Sequence, residues 1–402
     1  MRILMVNLID WSKMSGGGQH QMGLFRAWRA AGHHVGMISP CRTDTSAMPA
    51  DIATALIAMP SLGRFGLPAS LDTLAQIPSV IRAARRGRFD VVYTRHNMLT
   101  PVLVAACRLA GLRIVTEHNS WLPSQRRVDN GSSVLGWLEG LGQIWGTRWA
   151  SGSRCVTPGL AGHLAARGVR ADRLCAIGNG TDLTNFFPVA RAEALAACKL
   201  APERTYVGFI GNIAPWHGLD QALEGFAATC TSFPDTDLLI FGDGRTQSHL
   251  KDLARGLGID DRVRFMGRVA HDRANLAINC FDVALLPLSA RNDIGFGFSA
   301  IKLRDYAAAG RLVLTGHLLG AIELTAEPWL VTHAPDDGAD LGRQLAAMLA
   351  NRDGWPAAAL AARRYAEAHF DWSVIAGEIA TFIETRVLDH PMPAGRPVPA
   401  TV

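Results

Sequence analysis

The chain has 402 residues, enough for two domains of ordinary size and for a core that needs no disulfide or metal staple. Apolar residues make up 49% and charged residues 19%, which excludes intrinsic disorder as the main state. The net charge of +5 is uneven: residues 1–190 hold 20 Lys and Arg against 10 Asp and Glu, and residues 191–402 hold 20 against 25.

In chain order, residues 2–9 read as a buried strand whose apolar run is broken at Asn7. The glycine loop Ser15-Gly16-Gly17-Gly18 follows, then a helix over 19–31 and a strand over 34–39. Helical patterns over 71–86, 99–109 and 131–149 alternate with strands over 90–93, 113–116, 154–156 and 174–177. Residues 188–202 read as a connection with Ala-rich helical content. The alternation then restarts, with strands over 206–210, 237–241, 263–266, 282–287 and 312–315 and helices over 220–230, 247–257 and 300–309. The remainder is mostly helical, ending in a Pro-rich tail from residue 390. Strands separated by helices make parallel β-α-β units. Two successive series predict two Rossmann-like, doubly wound domains with a cleft between them, and ligands bound at the carboxyl ends of strands.

The seven Cys are scattered and contain no C-x-x-C pair, so they read as reduced thiols of a cytoplasmic protein, not a disulfide frame or zinc site. No secretory signal is evident, and no window approaches the ~20 apolar residues of a membrane span. Membrane contact is therefore expected to be peripheral. Nucleic-acid binding has only basic charge behind it and no motif.

Several loops fall at predicted strand ends. Gly16-Gly17-Gly18 suits close backbone approach to a ligand, with a plain tight turn as the alternative, and it is not G-x-G-x-x-G, because Gln21 holds the last position. Glu117 and His118 end a strand side by side, so they point to opposite faces. His118 in the cleft would hydrogen-bond a sugar hydroxyl or leaving oxygen. Gly211-Asn212, with His217 beyond, runs from a strand towards a helix and suits phosphate. Gly242-Asp243-Gly244-Arg245 is a second such loop. Gly295-Phe296-Gly297-Phe298-Ser299 leads into a helix with Ser299 as its N-cap. On that helix Lys302 and Asp305 share a face, where they serve either a diphosphate and a ribose diol or merely each other as an ion pair.

In this order the segments resemble family 4 of the retaining glycosyltransferases, which have the GT-B fold. The resemblance rests on Gly16-Gly17-Gly18, on Asn179-Gly180-Thr181-Asp182 with Phe187-Pro188, and on Gly242-Asp243-Gly244. It rests also on Val263-Arg264-Phe265-Met266-Gly267, and on Ser299, Lys302, Asp305, Tyr306, Ala308 and Gly310. Where the family carries an Arg and a Lys in the diphosphate loop, this sequence has Asn212 and His217, and Gly297 stands where the first of two Glu falls.

The resemblance implies an acceptor-binding domain over 1–188 and a nucleotide-sugar domain over 189–372. A helix over 373–389 packs back on the first domain. It implies metal-independent, retaining transfer of a hexose-type sugar from a UDP or GDP sugar, with no cofactor beyond this co-substrate. His118, Lys302 and His217 are the implied catalytic residues. Gly17, Gly18, Gly211, Asn212, Gly244, Arg245, Gly297, Phe298, Ser299 and Asp305 contact the donor, and Glu117 and Arg126 the acceptor. The acceptor is a glycan or a polyprenyl-diphosphate-linked glycan. Arg82, Arg85, Arg86 and Arg88 form a patch suited to anionic membrane. The three departures favour a second reading, a noncatalytic sugar-nucleotide-binding homologue.

Overall fold

The computed structural model describes residues 1–7, 16–41, 50–60, 62, 71–128, 133–289, 296, 299–318, 321 and 324–389. They form two units: Met1–Gly178 with the segment from Trp372 onward, and Asn179–Asp371.

The first unit opens with β1 (Arg2–Val6), α1 (Gly16–Ala30), β2 (His34–Cys41), α2 (Ala50–Ala53) and β3 (Leu56–Pro60). It continues with α3 (Asp72–Arg86), β4 (Val91–Arg95), α4 (Thr100–Leu109), β5 (Ile114–His118), α5 (Leu122–Val128) and α6 (Ser133–Trp149). Then come β6 (Gly152–Cys155), α7 (Pro158–Ala166) and β7 (Leu174–Ala176). Its seven strands are all parallel, in the order β3-β2-β1-β4-β5-β6-β7.

Both faces of this sheet are covered, as parallel sheets require. The two-residue period of β1 sends Ile3 and Met5 to one face, with Phe25 and Trp28 of α1. Leu4 and Val6 go to the other, with Val80 of α3 and Leu103 and Val104 of α4.

The second unit contains α8 (Arg191–Ala197), β8 (Thr205–Ile210), α9 (Leu219–Cys230), β9 (Thr236–Phe241), α10 (Gln247–Gly256) and β10 (Val263–Gly267). It continues with α11 (Ala274–Asn279), β11 (Val283–Leu286), α12 (Ile301–Ala308), β12 (Leu312–Gly316), β13 (Leu330–His333), α13 (Gly338–Ala350) and α14 (Trp355–His369). Its six strands are parallel, in the order β10-β9-β8-β11-β12-β13. The chain then returns to the first unit as α15 (Trp372–Phe382), extended by a π-helical stretch over Ile383–Leu388. The Trp28 indole donates to the Ala376 carbonyl across 3.0 Å and fixes α15 on α1.

Strand order reverses between β1 and β4 and between β8 and β11. Each reversal opens a crevice at the carboxyl ends of those strands.

Some expectations change. The glycine run is the first turn of α1 and not a loop before it. The Ala-rich helical content of residues 188–202 is α8, but the segment lies inside the second unit, with Arg191 bound to Asp282 at 3.0 Å. The units part at Gly178, because Asn179 and Thr181 are hydrogen-bonded to Ser299 and Asp305 in the second unit. α2, β3, α5, α7, α11 and β13 were not foreseen. Residues 8–15, Gly297, Phe298 and the tail from 390 lie outside the described residues.

Candidate functional site

In the second unit the exit of β8 is built of glycine. Gly211 has φ +151° and Gly242 has φ +131°, values open to glycine and strained for other residues. A Cβ on Gly242 would lie 1.9 Å from the Gly211 carbonyl oxygen, and one on Gly244 would lie 2.1 Å from that of Ile213. The two loops therefore stack backbone on backbone. A Cβ on Gly211 would meet Lys302 Cε at 2.1 Å, so the lysine stem lies across the face that Gly211 leaves bare.

Lys302 Nζ is 3.1 Å from His217 Nε2 and 5.7 Å from the centroid of the Phe209 ring. His217 Nδ1 lies 2.6 Å from the Asn212 carbonyl oxygen. A carbonyl only accepts, so Nδ1 carries the proton and Nε2 accepts from the Lys302 ammonium. Burial, with Lys302 adding to it, pushes the His217 pKa down to about 3. At neutral pH His217 is an uncharged acceptor that orients Lys302. Burial also lowers Lys302 to about 8.

Lys302 and Asp305 form no ion pair. Asp305 Oδ1 accepts from Thr181 Oγ1 at 2.5 Å, and burial raises its pKa to about 7. Ser299 is not the N-cap of α12: Ala300 holds that position, and Ser299 Oγ accepts from the Asn179 amide at 2.9 Å. The Asn212 side chain is exposed, and the Arg245 guanidinium lies 5.3 Å from the Trp216 ring centroid. Lys302, His217, Gly211 and the Asn212 carbonyl are thus brought together at the β8–β11 crevice, with Asp305 one helical turn along α12.

The first unit treats its candidates differently. Glu117 is fully buried. One oxygen accepts from Tyr93 at 2.7 Å and Arg154 at 3.0 Å; the other accepts from Asn119 at 2.7 Å and lies 3.0 Å from His20 Nε2. Burial pushes its pKa up, but His20 and Arg154 outweigh this and hold the carboxyl well below its ordinary range. Glu117 is thus the counter-ion of buried Arg154, and no acceptor contact remains open to it.

His118 is buried as well. Gln143 Oε1 accepts from the Leu122 amide and its Nε2 donates to the Ser120 carbonyl, which fixes the amide orientation. Gln143 Nε2 therefore donates to His118 Nδ1 at 3.1 Å, and Nε2 carries the ring proton towards Thr116 at 2.9 Å and Thr147 at 3.2 Å. Burial pushes this histidine down to about 3. With both nitrogens engaged, it does not meet a sugar hydroxyl in this geometry. Arg126 forms a two-pronged pair with Glu139 that ties α5 to α6, so it too is occupied.

Arg154, Gln143 and Thr147 were missed in sequence, and Asn179 and Thr181 entered only as part of the resemblance, without a role in the site. A single cation inside a strand was a signal for Arg154, since a buried guanidinium demands a carboxylate. Among the described residues no cluster of three or more His, Cys, Asp or Glu is placed to hold a metal ion, and no helix is long and apolar enough to cross a membrane.

Residues 14–185 match the family model described as Glycosyltransferase Family 4, and residues 204–351 match that described as Glycosyl transferases group 1. A glycogen synthase of Mycobacterium tuberculosis is 27% identical over 94% of this chain and 92% of its own. A phosphatidyl-myo-inositol mannosyltransferase of Mycobacterium leprae is 28% identical over 96% and 97%. The crystal structure of Anabaena HepE in complex with UDP superposes with a TM-score of 0.75 at 17% identity, covering 96% of this chain and all of that one. The fold is GT-B.

Proposed function

Because the chain belongs to family 4 of the glycosyltransferases, we propose that it moves a hexose-type sugar, with retention, from a nucleoside-diphosphate sugar to a glycan or lipid-linked acceptor. The observation that carries this reading is Lys302, held by His217 against bare Gly211 backbone at the β8–β11 crevice. Burial lowers the Lys302 pKa more than Asp305 raises it, and a diphosphate would add the counter-charge that this buried cation favours. The amides opening α12 add donors of the same sign.

The proposed chemistry is front-face displacement, in which the departing diphosphate takes the acceptor proton. Bond breaking builds negative charge on that diphosphate, and preorganised donors lower the barrier most where charge develops. Lys302 is the proposed donor of this kind and His217 its positioning residue. Asp305, within reach of Thr181, is the proposed acceptor for a ribose diol. The UDP in the Anabaena complex supports a uridine donor. The names of the two mycobacterial relatives support a polysaccharide or lipid acceptor.

Thermal-shift titration against UDP, GDP and ADP tests the seat. One nucleoside diphosphate raises the melting temperature by mass action, and Lys302→Met makes the rise smaller. Transfer from the matching sugar, unaffected by EDTA and followed by NMR of the new anomeric proton, tests the rest. Binding without transfer would make the chain a noncatalytic homologue. No response to any nucleotide would sink the seat itself.

A further inference from the structure

We propose that α6 is a lipid-docking helix, which seats the first unit on an anionic bilayer through its tryptophan face. This goes beyond the transfer reading and does not depend on it. A helix on a water-facing surface buries its large apolar side chains and exposes its polar ones. In α6 this is inverted. Val134, Trp137, Leu138, Leu141, Trp145 and Trp149 point outward, with Val134 65% and Trp137 63% exposed. The inward face is small and polar. Gly140 lies against Pro123 and Trp121, Gly146 lies against Pro101 and His96, and Gln143 and Thr147 are each 1% exposed. Of the fifteen large apolar side chains exposed among the described residues, seven lie on this one helix.

The occupant follows from chemistry and charge. Three indoles on the outer surface suit the headgroup boundary, where an amphipathic ring meets both apolar and wet surroundings. The single carboxylate of α6, Glu139, is turned inward and bound to Arg126, so the outer face carries no negative charge. Arg148 lies 5.7 Å from the Trp145 ring centroid, and residues 1–190 hold 20 cations against 10 anions. An anionic surface complements that excess. Neighbouring α4 extends the apolar area with exposed Val102 and Leu109. The inference thus moves the membrane contact from the Arg82–Arg88 patch to α6, whose inner face also holds His118.

Flotation of the full chain with phosphatidylcholine–phosphatidylglycerol vesicles tests this without any sugar donor. The wild type is expected to float, and brominated acyl chains to quench part of its tryptophan emission. Trp137→Ser combined with Trp145→Ser should lower the partition coefficient about tenfold or more while leaving the melting curve unchanged. Replacing Arg82, Arg85, Arg86 and Arg88 by Ser should weaken binding less. A wild type that neither floats nor is quenched overturns the proposal. So does a dimer, seen by sedimentation, that the tryptophan substitutions dissolve without any vesicle binding. Loss of binding in the arginine variant alone also overturns it.

Discussion

Burial, more than neighbouring charge, sets the protonation of Lys302, whose pKa falls to about 8 despite Asp305 pulling it upward. In the free protein the ammonium therefore persists below that pH and is lost above it. On the proposed role, kcat/KM for the donor should decline as pH rises through about 8, because kcat/KM reports the free enzyme. Lys302→Met should remove that basic limb and lower kcat by about 10²–10³, as loss of a transition-state donor does, with a smaller change in donor KM. A profile whose basic limb survives the substitution would take Lys302 out of the chemistry. His217→Gln separates orientation from charge: an amide can still accept from Nζ, so most activity should remain.

At the scale of elements, α1 and α15 offer a paired test of how the C-terminal segment is held. Gly23 sits where a Cβ would lie 2.2 Å from the Trp372 indole nitrogen. Gly23→Ala must push the indole out of a packed face, at a cost of about 1–3 kcal/mol. Gly377, on α15, has nothing within 4 Å of its Cβ position and carries no positive φ. Gly377→Ala should stabilise by about 0.4–1 kcal/mol through the unfolded chain's lost freedom. Urea melts reading opposite signs for these two Gly-to-Ala changes would confirm that α15 is docked through Trp372. Equal effects would deny it.

The same scale shows what was legible in the sequence. The strands β1, β4, β8 and β11 are short runs rich in aliphatic and β-branched residues, legible directly in the sequence. β3 is Leu56-Ile57-Ala58-Met59-Pro60, a run whose strand form comes from pairing with β2 and not from propensity. The glycines opening α1 read as a loop because glycine is a poor helix former, yet tertiary context made them helical. Lys302, His217 and Gly211 lie together at one crevice because loops at the carboxyl ends of adjacent parallel strands converge. Alternation alone puts Glu117 and His118 on opposite faces and lets His118 face the cleft, yet both are buried. In a sheet covered on both faces, alternating residues are buried on either side, and their partners come from elements far away in sequence.

For the whole molecule, the clearest consequence is its response to acid. His118 in the first unit and His217 in the second both have pKa values pushed to about 3 by burial, whereas an unfolded histidine titrates near 6.5. Between those values the unfolded chain binds two protons that the folded chain refuses. The stabilisation from both groups is therefore complete above about pH 6.5 and is lost as pH falls towards 3. Asp305 works the other way: raised to about 7, it holds a proton when folded, so its contribution is complete below its unfolded value of 3.8 and is lost as pH rises through 7. Near pH 5 the two histidines take up two protons on unfolding and Asp305 releases one, so stability still falls with acid. Replacing His118 by Gln removes one of the two uptakes. The slope of unfolding free energy against pH between about 4 and 6 should then flatten by about 1.4 kcal/mol per pH unit. Two units need not unfold together, so the slope is best read from separate probes of each. Flattening in the first unit's transition alone is the expected result. An unchanged slope there would mean that His118 is already protonated, or exposed, in the folded protein.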